Sequence, residues 1–150
     1  MFGYSHLVRV MLVVVSLLIF VTALSFPAVG TCINGYGPHW FENGNILFWG
    51  WAALLVGQIG WYANIPYVIN AASITRNKNP RPAHLVAQIV LLLIAILTLL
   101  PSFGMELPHN EAWSEPLCSL GPGFWMWVGA QASIAVAAIW LRWEMRTEQT

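Results

Sequence analysis

Apolar residues along this chain gather into four long stretches, and polar residues gather between them. The first runs from about Val10 to Val29, interrupted only by Ser16, Thr22 and Ser25. The second runs from about Ile46 to Ala72 and contains Asn64 and Pro66; the third runs from about His84 to Phe103; the fourth runs from about Phe124 to Trp143. Apart from Arg142 at the very end of the fourth, no segment contains a charged side chain. A helix rises ~1.5 Å per residue and the hydrocarbon core of a bilayer is ~30 Å thick, so about 20 apolar residues make one crossing. The stretches lack the alternation of barrel strands, and a helix satisfies its own backbone in lipid. The pattern predicts four transmembrane helices, at about 10–29, 46–72, 84–103 and 124–143, in a single integral membrane domain over residues 1–150. A cleavable leader is the competing reading of the first stretch, since Met1–His6 and Arg9 precede an apolar run. That run is longer than the apolar region of a usual leader, and Phe26-Pro27 stands where a small-residue cleavage site is needed, so a retained helix is expected.

Composition agrees with the pattern. The chain is 58% hydrophobic and 8% charged, with no formal net charge. Soluble domains carry about 25% charged residues. The shortfall excludes an ordinary soluble domain, a disordered chain and a basic nucleic-acid binder.

Charge placement gives a direction. Arg9, Arg76, Lys78, Arg81, Arg142 and Arg146 fall before the first segment, between the second and third, and at the end of the fourth. The segments 30–45 and 104–123 contain no Lys or Arg and hold Glu42, Glu106, Glu111 and Glu115. Basic residues concentrate in cytoplasmic loops, so both termini and the middle loop are expected in the cytoplasm, and the other two loops outside. Trp40, Trp49, Trp51, Trp113, Trp125 and Trp127 cluster toward the outer ends, and Trp140 and Trp143 mark the inner end of the fourth segment. Indole rings favour the headgroup level, so these are read as interfacial anchors.

Cys32 and Cys118 lie one in each outer loop and form a candidate disulfide tying the first helical hairpin to the second, provided the fold brings them within about 7 Å; two independent thiols are the alternative. A redox-active pair would require a Cys-x-x-Cys spacing, which does not occur. His39, Glu42, His109 and Glu111 are weak candidates for a metal, but their spacing matches no ligand pattern, and no metal or cofactor is expected. The outer loops are rich in turn formers, among them Asn34-Gly35, Gly37-Pro38 and Gly121-Pro122-Gly123, which favours tight turns over an added domain.

Gln58, Gln88 and Gln131 each place an amide inside a segment, where it serves as interhelical glue or lines a polar path. Pro66 removes a backbone donor and clashes with the carbonyl of Tyr62 in a continuous helix, so a kink near the inner end of the second segment is expected, with Asn64 or nearby side chains satisfying the freed carbonyl. Gly50, Ala53, Gly57 and Gly60 form one small-residue stripe; Gly129, Ser133 and Ala137 form another. Phe48-Trp49-Gly50-Trp51 and Phe124-Trp125-Met126-Trp127 follow Pro27 and Pro101 at similar spacing, which suggests two repeated helical hairpins in parallel orientation.

Leu24-Ser25-Phe26-Pro27-Ala28, the Gly/Trp-rich second segment with Ala63-Asn64-Ile65-Pro66, and the basic turn after it resemble a loose group of small bacterial four-helix inner-membrane proteins. The resemblance covers most of the chain. It implies inner-membrane localisation and helix count, and the group carries no established activity to transfer. The chain departs from it in its aromatic-rich outer loops and its Cys pair.

The sequence thus predicts an all-α, four-transmembrane-helix bundle with both termini cytoplasmic. None of the motifs of hydrolases, zinc proteases or phosphate-binding loops is present, so a non-enzymatic role is expected. The expected partners are membrane lipid and a membrane protein or a second copy of the chain, with no nucleic acid. An immunity protein or an accessory subunit fits this reading; a small oligomeric transporter or channel subunit is the alternative.

Overall fold

The computed structural model describes residues 2–32, 38–42, 59–99, 106–110 and 113–147. Among them lie four α-helices and a four-stranded sheet: α1 (Phe2–Ala23), β1 (Pro27–Thr31), β2 (His39–Glu42), a 3-10 turn (Ile59–Ala63), α2 (Asn64–Thr75), α3 (Pro82–Thr98), β3 (Glu106–Asn110), β4 (Trp113–Leu120) and α4 (Pro122–Thr147). The chain is mostly helical, but the all-α expectation is corrected by the sheet. Two helices, over the window His6–Ala23 and over Pro122–Thr147, are long and apolar enough to cross a membrane; α3 is a shorter apolar helix.

The first helix stops six residues before the Val29 expected from hydropathy. It unwinds through i→i+3 bonds from Leu24, Ser25 and Phe26 back to Val21, Thr22 and Ala23. Pro27 explains the stop, because a residue before proline is pushed toward extended backbone. The residues that follow pair instead: β1 lies between β2 and β4, and β3 completes the order β2-β1-β4-β3, antiparallel throughout. Gly121 closes the sheet onto α4. Its N–H donates to the carbonyl of Ala28 at 2.8 Å, and a side chain there would strike the carbonyl of Pro27.

That strand order departs from the expected repeat. A two-fold relation between hairpins would map β1 onto β3 and β2 onto β4, so the two central strands would have to map onto each other. The central pair is β1 with β4, which does not. The second segment also differs from expectation. Its irregularity is a change from 3-10 turn to α-helix at Ala63–Asn64, with Pro66 in the first turn of α2, where its missing N–H would have had no intrahelical partner. The helix then continues to Thr75, so the break does not lie near its inner end.

The core has two parts. At the sheet end, Ala28, Val29 and Leu117 pack with Ala23, Leu92, Ala95, Phe124 and Trp127. At the other end, Val13, Tyr67, Ile74, Leu85, Ile134 and Leu141 pack together. Gly60 lets the 3-10 turn lie directly on Ala95 of α3. The second small-residue run is not one packing face: Gly129 meets open space, while Ala137 is fully buried. The outward surface of every helix is aliphatic, with Leu18 and Val21 on α1, Val68 on α2, Leu93 and Leu97 on α3, and Val136 and Ile139 on α4 all exposed.

Candidate functional site

Polar side chains occupy the interior that such helices usually keep apolar. Asn70, Gln88 and Gln131 are completely buried, one on each of α2, α3 and α4. Asn70 Nδ2 donates to Gln88 Oε1 at 2.7 Å. Gln88 Nε2 donates to the Gln131 carbonyl at 2.9 Å and to Gln131 Oε1 at 3.2 Å. Gln131 Nε2 donates to Asn64 Oδ1 at 2.9 Å, and Trp127 Nε1 donates to the same oxygen at 2.9 Å.

Two anchors fix the direction of this chain. An indole N–H only donates, so the atom of Asn64 facing Trp127 is its oxygen. A backbone carbonyl only accepts, so the atom of Gln88 facing Gln131 is its nitrogen. Every amide between the anchors is thereby oriented, and Asn70 must present its nitrogen to Gln88. Its oxygen is left without a hydrogen-bond partner among the described residues.

A second buried group joins α1. Ser16 donates its one hydroxyl proton to the Ala130 carbonyl at 2.8 Å, so the Tyr67 hydroxyl, 3.0 Å away, is the donor to Ser16. Phe20 stacks on Tyr67 with ring centroids 5.3 Å apart. The end away from the sheet is closed by charge. Arg9 is ion-paired with Glu144 and donates through Nη2 to Asn77 Oδ1 at 3.1 Å. Asn77 has a φ of 50° and ends α2, with Lys78 N–H returning to the Ser73 carbonyl at 2.8 Å and Asn77 N–H to the Ile74 carbonyl at 3.0 Å. This left-handed closure orients the side chain that Arg9 grips.

Of the residues singled out from sequence, Cys32 and Cys118 come together as a disulfide, with an S–S distance of 2.11 Å and Cα atoms 5.8 Å apart. The register Thr31–Leu117 between β1 and β4 places them side by side. Asn64, Gln88 and Gln131 converge in the amide chain. The Asn64 oxygen serves two donors on α4; Pro66 is buried and takes no part in the amide chain. Gln58 and Glu111 lie outside the described residues. His39 and Glu42 belong to β2 and His109 to β3, the opposite edges of the sheet, roughly 14 Å apart at the usual strand spacing.

Sequence reasoning missed Asn70, Tyr67, Ser16 and the pairing of Arg9 with Glu144. A signal for the first two was present: Asn64, Tyr67 and Asn70 recur at intervals of three, which puts them along one side of a helix. Trp127, expected from its place at a segment end to be an interfacial anchor, is 8% exposed and donates to Asn64. Trp125 and Trp143 are exposed.

No protein-family model, curated protein or solved structure matches this chain.

Proposed function

We propose that this chain is a four-helix integral protein of a bacterial inner membrane that acts by binding rather than by catalysis. Both termini and the loop around Lys78 lie in the cytoplasm, and the disulfide-clasped sheet faces outward. The partner is a membrane protein, engaged in the bilayer or at the outer face, as an accessory subunit or an immunity protein would engage it. The observation that carries this reading is the inverted distribution of polarity: aliphatic side chains line the outside of all four helices, while Asn70, Gln88 and Gln131 are buried and hydrogen-bonded within. That is the arrangement expected where the solvent is hydrocarbon.

Lengths are compatible with it. The 3-10 turn and α2 together rise roughly 28 Å and α3 roughly 26 Å, each within a few ångströms of the ~30 Å core, a mismatch that bilayers accommodate. The packing of α1 against α4 through Ser16 and Arg9 supports its retention in the folded protein. The positive charges sit at the end of the bundle opposite the sheet, which supports the orientation. Binding is favoured over transport because the buried amides, apart from the Asn70 oxygen, are occupied by one another and by Trp127.

A transporter or channel subunit is the second reading. It is favoured by the same amide chain, which runs lengthwise from Trp127 to Asn70 rather than across the bundle at one depth.

The test is crosslinking in native membranes followed by mass spectrometry, paired with flux measurements in vesicles containing the purified chain. A stoichiometric membrane-protein partner without flux supports binding. Self-crosslinked species with flux that is lost in Gln131→Leu support the second reading. Release of the chain from membranes by alkaline extraction overturns both.

A further inference from the structure

The cations at the inner end come from two parts of the chain that the fold joins. Arg142 of α4 donates through Nη1 to the Pro80 carbonyl at 2.5 Å, and the same nitrogen lies 3.5 Å from Asn79 Oδ1. That contact sets Arg142 against Asn79-Pro80 of the loop, which Lys78 and Arg81, both exposed, flank in sequence. Arg146 is exposed one turn further along α4, on the same side as Arg142. Among the described residues at this end, the acidic Glu144 is already ion-paired with Arg9, so it does not neutralise the four.

Sorting of positive charge to the cytoplasm accounts for the sign of these residues but not for their convergence. Nor does it account for what borders them. Ile139, 50% exposed, precedes Arg142 by three residues, and Trp143, 65% exposed, follows it directly. The cations therefore begin within about one helical turn, roughly 5 Å, of an aliphatic surface. A nucleic acid or an acidic soluble protein has no use for that border. A phospholipid has, because its phosphate and its acyl chains are separated by about that distance at the headgroup level.

We propose that Lys78, Arg81, Arg142 and Arg146 form a binding site for the headgroup phosphate of an anionic glycerophospholipid in the cytoplasmic leaflet. The guanidinium of Arg142 is held in place by the Pro80 carbonyl, and its remaining N–H groups are available to the phosphate; Arg146 and the loop cations close on it from either side. Acyl chains lie along Ile139, and the Trp143 ring sits at the glycerol level. The proposal rests on the membrane reading above and adds the lipid class and its site.

The experiment is native mass spectrometry of the full chain released from micelles containing equal phosphatidylglycerol and phosphatidylcholine. Preferential retention of phosphatidylglycerol is expected, with the preference falling about fivefold in Arg146→Gln and in Arg142→Gln. Arg76→Gln removes the same charge from an exposed residue at the helix end before the loop, and is expected to leave the preference nearly intact if Arg142 and Arg146 hold the phosphate. Arg146 is exposed and holds no other element, so its variant remains informative where loss of the Pro80 contact impairs folding of Arg142→Gln. Equal retention of the two lipids overturns the proposal. So does an equal loss in Arg76→Gln and Arg146→Gln, which would mean diffuse charge attraction without a site. Failure of the membrane reading is seen separately, as release of the chain by alkaline extraction.

Discussion

Gln88 and Gln131 meet inside the bundle, with Gln88 Nε2 shared between the carbonyl and the side-chain oxygen of Gln131 at 2.9 and 3.2 Å. The two helices run in opposite directions, and the Arg142–Pro80 contact fixes their relative height. Above it, Gln131 lies roughly 16 Å along α4 and Gln88 roughly 12 Å along α3, close enough for long side chains to join.

Gln88→Leu removes the centre of the amide chain and leaves the Asn70 nitrogen and the Gln131 side-chain oxygen without it. A loss of about 1–3 kcal/mol is expected, because a buried polar group stripped of its partner retains its desolvation cost. Reversible unfolding in mixed micelles measures it. A variant as stable as the parent would show that these bonds are replaced rather than lost.

Arg9→Leu strands Glu144, and Glu144→Leu strands Arg9. Each single change is expected to cost about 2–4 kcal/mol, and the double change less than the sum, because an unpaired charge in a poorly solvated site costs more than a missing pair. Glu144 is 24% exposed on its side chain and Arg9 is 4% exposed, so Glu144→Leu should be the more damaging of the two. A double-mutant cycle on thermal unfolding decides; strict additivity would mean the pair contributes nothing as a pair.

Gly60→Ala would place a methyl 2.6 Å from the Cα of Ala95 and 2.9 Å from its backbone nitrogen, forcing the 3-10 turn off α3. A cost of about 1–3 kcal/mol is expected. Gly129→Ala meets nothing within 4 Å and removes a glycine from a helix interior, so it should be neutral or stabilising by up to about 1 kcal/mol. Melting temperatures of the two variants should therefore move in opposite directions, or only the first should move.

Reduction of Cys32–Cys118 opens a loop of 86 residues and leaves β1 and β4 joined by backbone pairing alone. Stability should fall by about 2–4 kcal/mol in reductant. Cys118→Ser should show the same lowered stability with or without reductant. If the parent protein unfolds at the same temperature after its thiols have been freed and alkylated, the clasp does not stabilise the sheet.

The sequence by itself determined where chain becomes apolar, which end gathers positive charge, and which side chains stand alone in apolar surroundings. These are local properties: hydropathy decides solvent, and a buried amide must find a partner wherever it lies. Cys32, Cys118, Asn64, Gln88 and Gln131 were legible for that reason. For the two cysteines the partner was legible as well; for the amides only the tertiary structure decided which partner each one takes. Asn64 meets Trp127 and Gln131 because α2 packs against α4, and no hydropathy pattern encodes which helices pack together. The strand after Ala23 reads as the end of a helix until β4, contributed by a segment some ninety residues later, supplies its hydrogen bonds. Arg9 reads as a cytoplasmic flank until Glu144 arrives beside it from the far end of the chain. Pairings of this kind depend on the order in which helices and strands pack, and that order is a property of the whole chain.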